Sequence, residues 1–177
     1  INSIIFYGVK VIGKILPDYS IQVNFAISIL NVVVTLAASA IIDHVGRRPL
    51  LLASTTVMTA MSLLISVGLT LSVSFLLVTA TFVYIAAFAI GLGPIPFLII
   101  GELSYPQDAA TAQSFGTVCN WLATFIVGYL FPIGHGLMGG YVFAIFAAIA
   151  AMFATYVYKR VPETKGKTTY SEVWAGY

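Results

Sequence analysis

Residues 50–101 read LLLASTTVMTAMSLLISVGLTLSVSFLLVTATFVYIAAFAIGLGPIPFLIIG, without one Asp, Glu, Lys, Arg or His. A helix crossing the hydrocarbon core of a bilayer needs about 20 apolar residues at about 1.5 Å of rise each. This stretch is more than twice that length, so it must cross, turn and cross back. The turn is expected at Leu71-Ser72-Val73-Ser74, between spans at 50–70 and 75–100.

Three further charge-free stretches flank it, at 19–42, 109–134 and 136–158, and give spans near 21–42, 111–133 and 140–158. Residues 1–13 are apolar and read as the end of one more span. The chain opens Ile-Asn-Ser inside that segment, so it reads as a fragment with parts upstream. Composition agrees with a lipid solvent. Hydrophobic residues make up 60% of the chain and charged residues 8%, where soluble domains carry about a quarter charged. Too little polar material remains to cover a globule in water. A net charge of +2 with no basic run excludes nucleic acid as a partner. The lone Cys119 has no partner for a disulfide and is expected as a small buried apolar residue.

Basic residues set the orientation. Arg47, Arg48, Lys159, Arg160, Lys165 and Lys167 fall on one side, against Lys10 and Lys14 on the other. The 43–49 connection, the 101–110 connection and the tail are therefore expected in the cytoplasm. The organisation is one transmembrane bundle over 1–158 and a cytoplasmic tail over 159–177, polar and expected to be only partly ordered.

Two spans carry polar stripes. Asn24, Ser28, Asn31, Thr35 and Ser39 recur every three or four residues, as do Gln113, Thr117, Asn120, Thr124 and Gly128. That spacing puts each set on one helix face, which should look into a bundle or a watery cavity. Taken alone, Asn31 and Asn120 suit interhelical glue as well as contact with a ligand. Thr55, Thr59, Ser62 and Ser66 form a stripe without an amide. Such hydroxyls bond back to their own helix, and this stripe reads as packing.

Span 75–100 contains Gly91-Leu92-Gly93-Pro94-Ile95-Pro96. Each proline removes an amide donor and clashes with the preceding turn, so a helix broken at mid-membrane is expected. Breaks of this kind are tolerated where the backbone lines a cavity or is buried in protein. No ionisable residue lies at mid-depth in a complete span, which leaves a passive carrier, or a coupling residue elsewhere in the protein. Charges gather at the cytoplasmic edge instead, with Asp43, Arg47, Arg48, Glu102, Lys159, Arg160 and Glu163; the lysines suit interface anchors, and Arg47, Arg48 and Glu102 suit an ion-pair latch. His44 and His135 lack Cys or Glu at metal-ligand spacing. Neither a phosphate loop nor a nucleophile elbow is present, so no enzyme, metal or cofactor is read.

Several motifs, in order, resemble the carboxy-terminal half of sugar porters of the major facilitator superfamily, with a fungal flavour. Asp43-His44-Val45-Gly46-Arg47-Arg48-Pro49 resembles the loop between the second and third helices of that half. Gly93-Pro94-Ile95-Pro96 with Gly101-Glu102-Leu103 resembles the broken tenth helix, and Asn120-Trp121 an Asn-Trp pair in the eleventh. Val161-Pro162-Glu163-Thr164-Lys165-Gly166-Lys167-Thr168 resembles the tail, and Ile1-Asn2 with Phe6-Tyr7 the seventh helix.

The resemblance implies an all-α membrane protein, the carboxy-terminal six-helix bundle of a twelve-helix major facilitator fold. It implies transport of a monosaccharide or related polyol by alternating access, passive or proton-coupled, in the plasma or vacuolar membrane. A non-transporting sugar sensor of the same fold is the alternative. The implied partners are a small solute, the bilayer and the amino-terminal half of the same chain; the fragment alone is not expected to transport. Asn2, Asn31 and Asn120 match sugar-hydroxyl ligands, since amides both donate and accept. Phe97 and Trp121 match aromatic contacts, and Tyr7 an outer gate. Gly91, Gly93, Pro94 and Pro96 match the moving break, and Arg47, Arg48 and Glu102 the inner latch. Two positions depart from the glucose carriers: Ala89 stands where they place Glu, and Phe97 where they place Trp.

Overall fold

The computed structural model describes residues 1–13, 17–167 and 170–175. Lys14 and Thr168, which entered the orientation and the tail motif, lie outside the described residues. The helices are α1 (Asn2–Ile12), α2 (Ser20–Val45), α3 (Arg47–Thr70), α4 (Ser74–Ile90), α5 (Ile95–Leu103), α6 (Ala109–Met138), α7 (Val142–Arg160) and α8 (Tyr170–Trp174), with a 3-10 turn at Gly139–Tyr141 before α7. α2, α3, α4–α5 together, and α6–α7 are long and apolar enough to cross a membrane; α1 is shorter.

α3 is the axis of the bundle, packed on α4 and α7. Its buried residues include Thr55, Ser62, Ile65 and Ser66. Small residues let the neighbours approach closely. A Cβ on Gly68 would stand 3.0 Å from the Leu77 amide nitrogen of α4, and one on Gly140 would stand 2.9 Å from the Ser66 carbonyl. The hydroxyls of Thr55 and Thr59 bond back along α3, at 2.7 Å to the Leu51 carbonyl and 2.8 Å to the Thr55 carbonyl. A larger apolar cluster joins Ile4, Ile65, Leu77, Ile85, Phe131 and Phe143. A smaller one joins Ile42, Leu51, Ile95, Ile99 and Val157. Between α3 and α4 the chain turns through Ser72, whose φ of +54° closes α3 in the left-handed conformation common after helix ends.

α2 and α6 each leave a long apolar face open. Phe25, Val32, Val33 and Leu36 are exposed on one, and Phe115, Trp121, Phe125 and Leu137 on the other. Cys119 lies on the open face of α6 and is exposed, not buried as expected. The cause is the helix: Phe131 is the one residue of α6 that is buried.

The inner end departs from the sequence reading at the 43–49 connection. α2 continues through Asp43, His44 and Val45, so the 43–49 connection reduces to Gly46 at φ +109°. The described residues of the tail beyond Arg160 pack on the bundle. Pro162 and Thr164 are buried, and α8 lies on the end of α5. Tyr170 stacks on Tyr105 with ring centroids 3.8 Å apart, and the Trp174 indole donates to the Leu103 carbonyl at 3.4 Å. The tail is polar in composition, yet its polar groups find fixed partners on α3 and α5.

Candidate functional site

Three places concentrate the residues singled out by sequence. The first is an open groove of about 480 Å³ between α1 and α6, lined by Phe6, Tyr7, Trp121, Thr124, Phe125, Gly128 and Tyr129. The Asn2 amide donates to the Thr124 hydroxyl at 2.9 Å beside it. The Tyr7 hydroxyl donates to the Gly128 carbonyl at 2.8 Å, and its ring stacks on Phe131 at 5.4 Å. α1 reaches Gly128 through Phe6, at an ordinary contact distance of 3.7 Å from where a Cβ would stand. The groove thus sets aromatic faces beside the hydroxyl of Thr124.

Tyr7 and Trp121 line the groove, and Asn2 stands outside the lining, joined to it by its bond to Thr124. Asn31, half-buried on α2, Asn120, exposed on α6, and Phe97, exposed on α5, lie outside the groove lining. Neither Asn31 nor Asn120 makes a side-chain hydrogen bond to another helix among the described residues. Sequence reasoning placed Thr124 in the α6 stripe but gave it no role. Its register, one turn beyond Asn120, is the signal that could have found it.

The second place is the break. α4 stops at Ile90 and α5 starts at Ile95, with Gly91, Leu92, Gly93 and Pro94 between them. The Gly93 amide reaches back to the Phe88 carbonyl at 2.8 Å, one residue further than an α-helix does. Pro94 and Pro96 have no amide to give. Gly91 is buried against α3: a Cβ there would stand 2.4 Å from the Ser54 Cβ and 2.8 Å from the Leu50 carbonyl.

The third place is the inner end. The Arg47 guanidinium meets Glu102 at 3.0 Å and Asp43 at 3.2 Å. Arg48 turns elsewhere: it donates to the Tyr158 carbonyl at 2.6 Å and its guanidinium carbon stands 5.8 Å from the centre of the Tyr158 ring. Glu163 of the tail accepts from the Arg47 and Arg48 amides at 3.0 and 3.1 Å. The Thr164 hydroxyl donates to Glu102, and the Lys165 ammonium to the His44 carbonyl. The ends of α2, α3, α5 and α7 are tied into one polar hub. Glu163 and Thr164 are its unforeseen members, because only folding brings the tail beside residues far earlier in the chain. The Arg47–Glu102 pair is accessible, with side-chain exposures of 17% and 30%. A pair of that kind contributes about 1 kcal/mol or less. A double-mutant cycle of Arg47→Ala and Glu102→Gln, read by thermal unfolding of the full-length protein, is therefore expected to give a coupling near that value. A coupling above about 3 kcal/mol would instead mark a fully desolvated pair.

A bundle of apolar helices around a central α3, with one helix broken between two glycines and two prolines, is the architecture of a membrane transporter half. The chain belongs to the family described as "Sugar (and other) transporter", which it matches over residues 1–174. It is similar to vacuolar protein sorting-associated protein 73 of Saccharomyces cerevisiae, 44% identical over 93% of this chain and 34% of that protein. It is 32% identical to the facilitated glucose transporter member 3 of solute carrier family 2 from Mus musculus, over 95% of this chain and 35% of that one. The chain spans about a third of the length of these curated relatives. In structure it superposes on a double-Trp mutant of XylE with a TM-score of 0.88 at 24% identity, covering 99% of this chain and 39% of the other. It also matches the proton:xylose symporter XylE bound to 6-bromo-6-deoxy-D-glucose, at a TM-score of 0.84 and 23% identity, over 94% of this chain and 37% of that one. The fold is thus the carboxy-terminal half of the major facilitator fold.

Proposed function

We propose that this chain forms one half of a carrier that moves a monosaccharide or related polyol across a membrane by alternating access. The observation that carries this reading is the α1–α6 groove, where Asn2 and Thr124 place an amide and a hydroxyl beside the rings of Phe6, Tyr7 and Trp121. Amides and hydroxyls match sugar hydroxyls as donors and acceptors, and flat aromatic faces suit the apolar face of a sugar ring. Asn31, Asn120 and Phe97 complete the site from the open faces of α2, α6 and α5. Tyr7 serves as outer gate, and the Gly91–Pro96 break lets α5 move. The Arg47–Glu102 pair, flanked by Arg48, forms the inner latch, where a small energy suits a contact that must open and close.

The solute differs from that of ordinary glucose carriers. Ala89 is buried and offers no carboxylate acceptor, and Phe97 keeps an aromatic face without an indole donor. The solute enters between this half and an amino-terminal half, and transport is passive or proton-coupled. The name of the yeast relative favours the vacuolar membrane over the plasma membrane.

Uptake by the full-length protein in reconstituted vesicles tests this, with a panel of labelled hexoses and polyols and with or without a pH gradient. Saturable uptake of one solute is expected, with a loss of tenfold or more on Asn31→Ala plus Asn120→Ala. A folded, inserted protein that takes up no member of the panel would overturn the carrier reading and favour a sensor.

A further inference from the structure

One hydroxyl of α3 sits inside the break and answers the bonding problem that the break creates. In an uninterrupted helix the Leu92 amide would donate to the Phe88 carbonyl. Here that carbonyl is taken by the Gly93 amide at 2.8 Å. The Leu92 amide is left over, in a part-buried stretch where an unmade bond carries a cost. It donates instead to the Ser54 hydroxyl oxygen at 3.3 Å. The same hydroxyl donates its proton to the Ala87 carbonyl at 2.7 Å. The Met58 sulfur stands 3.8 Å away and is the weaker acceptor. One side chain therefore bridges the last turn of α4 and the second amide past it, that of Leu92. Ser54 is 3% exposed, and a Cβ on Gly91 would stand only 2.4 Å from the Ser54 Cβ.

We propose that Ser54 is a positioning residue for the α4–α5 break. Its hydroxyl fixes α4 to α3 on both sides of Gly91, so the motion of α5 begins beyond Leu92. It touches no groove residue and acts on movement, not on solute binding. Other hydroxyls of α3 do not share this geometry: that of Thr59, for example, bonds to a carbonyl of its own helix. The functional half of the proposal rests on the carrier reading above; the structural half stands without it.

Hydrogen–deuterium exchange on the full-length protein in lipid nanodiscs reads the structural half. In the unmodified protein the Leu92 amide is expected to be protected. Ser54→Ala, which keeps the Cβ and removes only the hydroxyl, is expected to speed exchange in the 88–97 peptide by tenfold or more. Thr59→Ala is expected to leave that peptide unchanged. Equal exchange in Ser54→Ala and the unmodified protein would overturn the proposal. If Ser54→Ala does not fold, the unmodified protein decides: a Leu92 amide exchanging at the rate of an unfolded chain overturns the clasp, and a protected one supports it. Flux reads the functional half. A turnover changed threefold or more by Ser54→Ala, with KM within twofold, supports a role in movement; a shift in KM alone overturns it. If the unmodified protein moves no solute, the carrier reading fails, while the exchange result still decides the clasp.

Discussion

Gly91→Ala is expected to destabilise the full-length protein by about 1–3 kcal/mol, toward the upper end of the usual cost of overpacking a filled interior. The added methyl would stand 2.4 Å from the Ser54 Cβ and 2.8 Å from the Leu50 carbonyl oxygen. Neither neighbour is the free end of a flexible side chain. One is the first carbon of a buried residue, the other backbone inside α3, so relief requires α3 and α4 to separate. Separation would break the Ser54 bonds to Ala87 and Leu92 and open the small cluster around Ile95 and Ile99. Gly101→Ala is the matched control. It lies in α5 with nothing within 4 Å of its Cβ position, and alanine there should gain about 0.5–1 kcal/mol through helix propensity. Thermal unfolding in detergent, followed by size-exclusion of tagged protein, reads both variants. The apparent Tm should fall for Gly91→Ala and hold or rise for Gly101→Ala. A Gly91→Ala protein as stable as the parent would mean that the break does not pack on α3 as described.

The break shows how much of this molecule was legible before folding. Two prolines and two glycines act through the local backbone, so Gly91, Gly93, Pro94 and Pro96 announce an interrupted helix from sequence alone. Apolar helices and their turns are legible for the same reason: length, charge and periodicity are local quantities. What the sequence does not reveal is which side chain on another helix answers the break. Ser54 sits in a run of hydroxyl residues, Ser54-Thr55-Thr56 followed by Thr59, and nothing local separates it from its neighbours. Its role is fixed by the packing of α3 on α4. The same limit explains Cys119, whose apolar surroundings read as burial although α6 turns that face outward. It applies to the tail as well, whose polar composition does not reveal where it docks. Polar residues stay solvated only when no fixed partner is near, and Glu163 and Thr164 have such partners on α3 and α5.

Those partners carry the second large effect. α3 begins with two arginines in its first turn, where the positive end of the helix dipole disfavours cations. The first amides of a helix also lack acceptors within it. No side chain of α3 or its N-cap residue supplies one, since the cap is Gly46. Glu163 solves both problems from the far end of the chain. One carboxylate oxygen accepts from the Arg47 amide at 3.0 Å and the other from the Arg48 amide at 3.1 Å. The oxygen facing Arg47 also accepts from the amides of Thr164 and Lys165, at 3.0 and 2.9 Å, and so folds the tail around the cap. Gly46 leaves room for this: a Cβ there would stand 2.9 Å from the carboxylate, and its φ of +109° disfavours other residues. Glu163→Ala is therefore expected to cost about 2 kcal/mol, within the range for losing a helix cap and a charge-assisted hydrogen bond. The cost should fall on the docked tail first. Trypsin added to the inner face of vesicles should cleave after Lys165 and Lys167 about 10- to 30-fold faster, since cleavage follows the open population and each 1.4 kcal/mol is tenfold. Glu163→Gln keeps an acceptor oxygen without the charge and should fall between. An unchanged cleavage rate in Glu163→Ala would mean that the tail is held by α8 and by the Thr164–Glu102 and Lys165–His44 bonds, and that the cap is incidental to its docking.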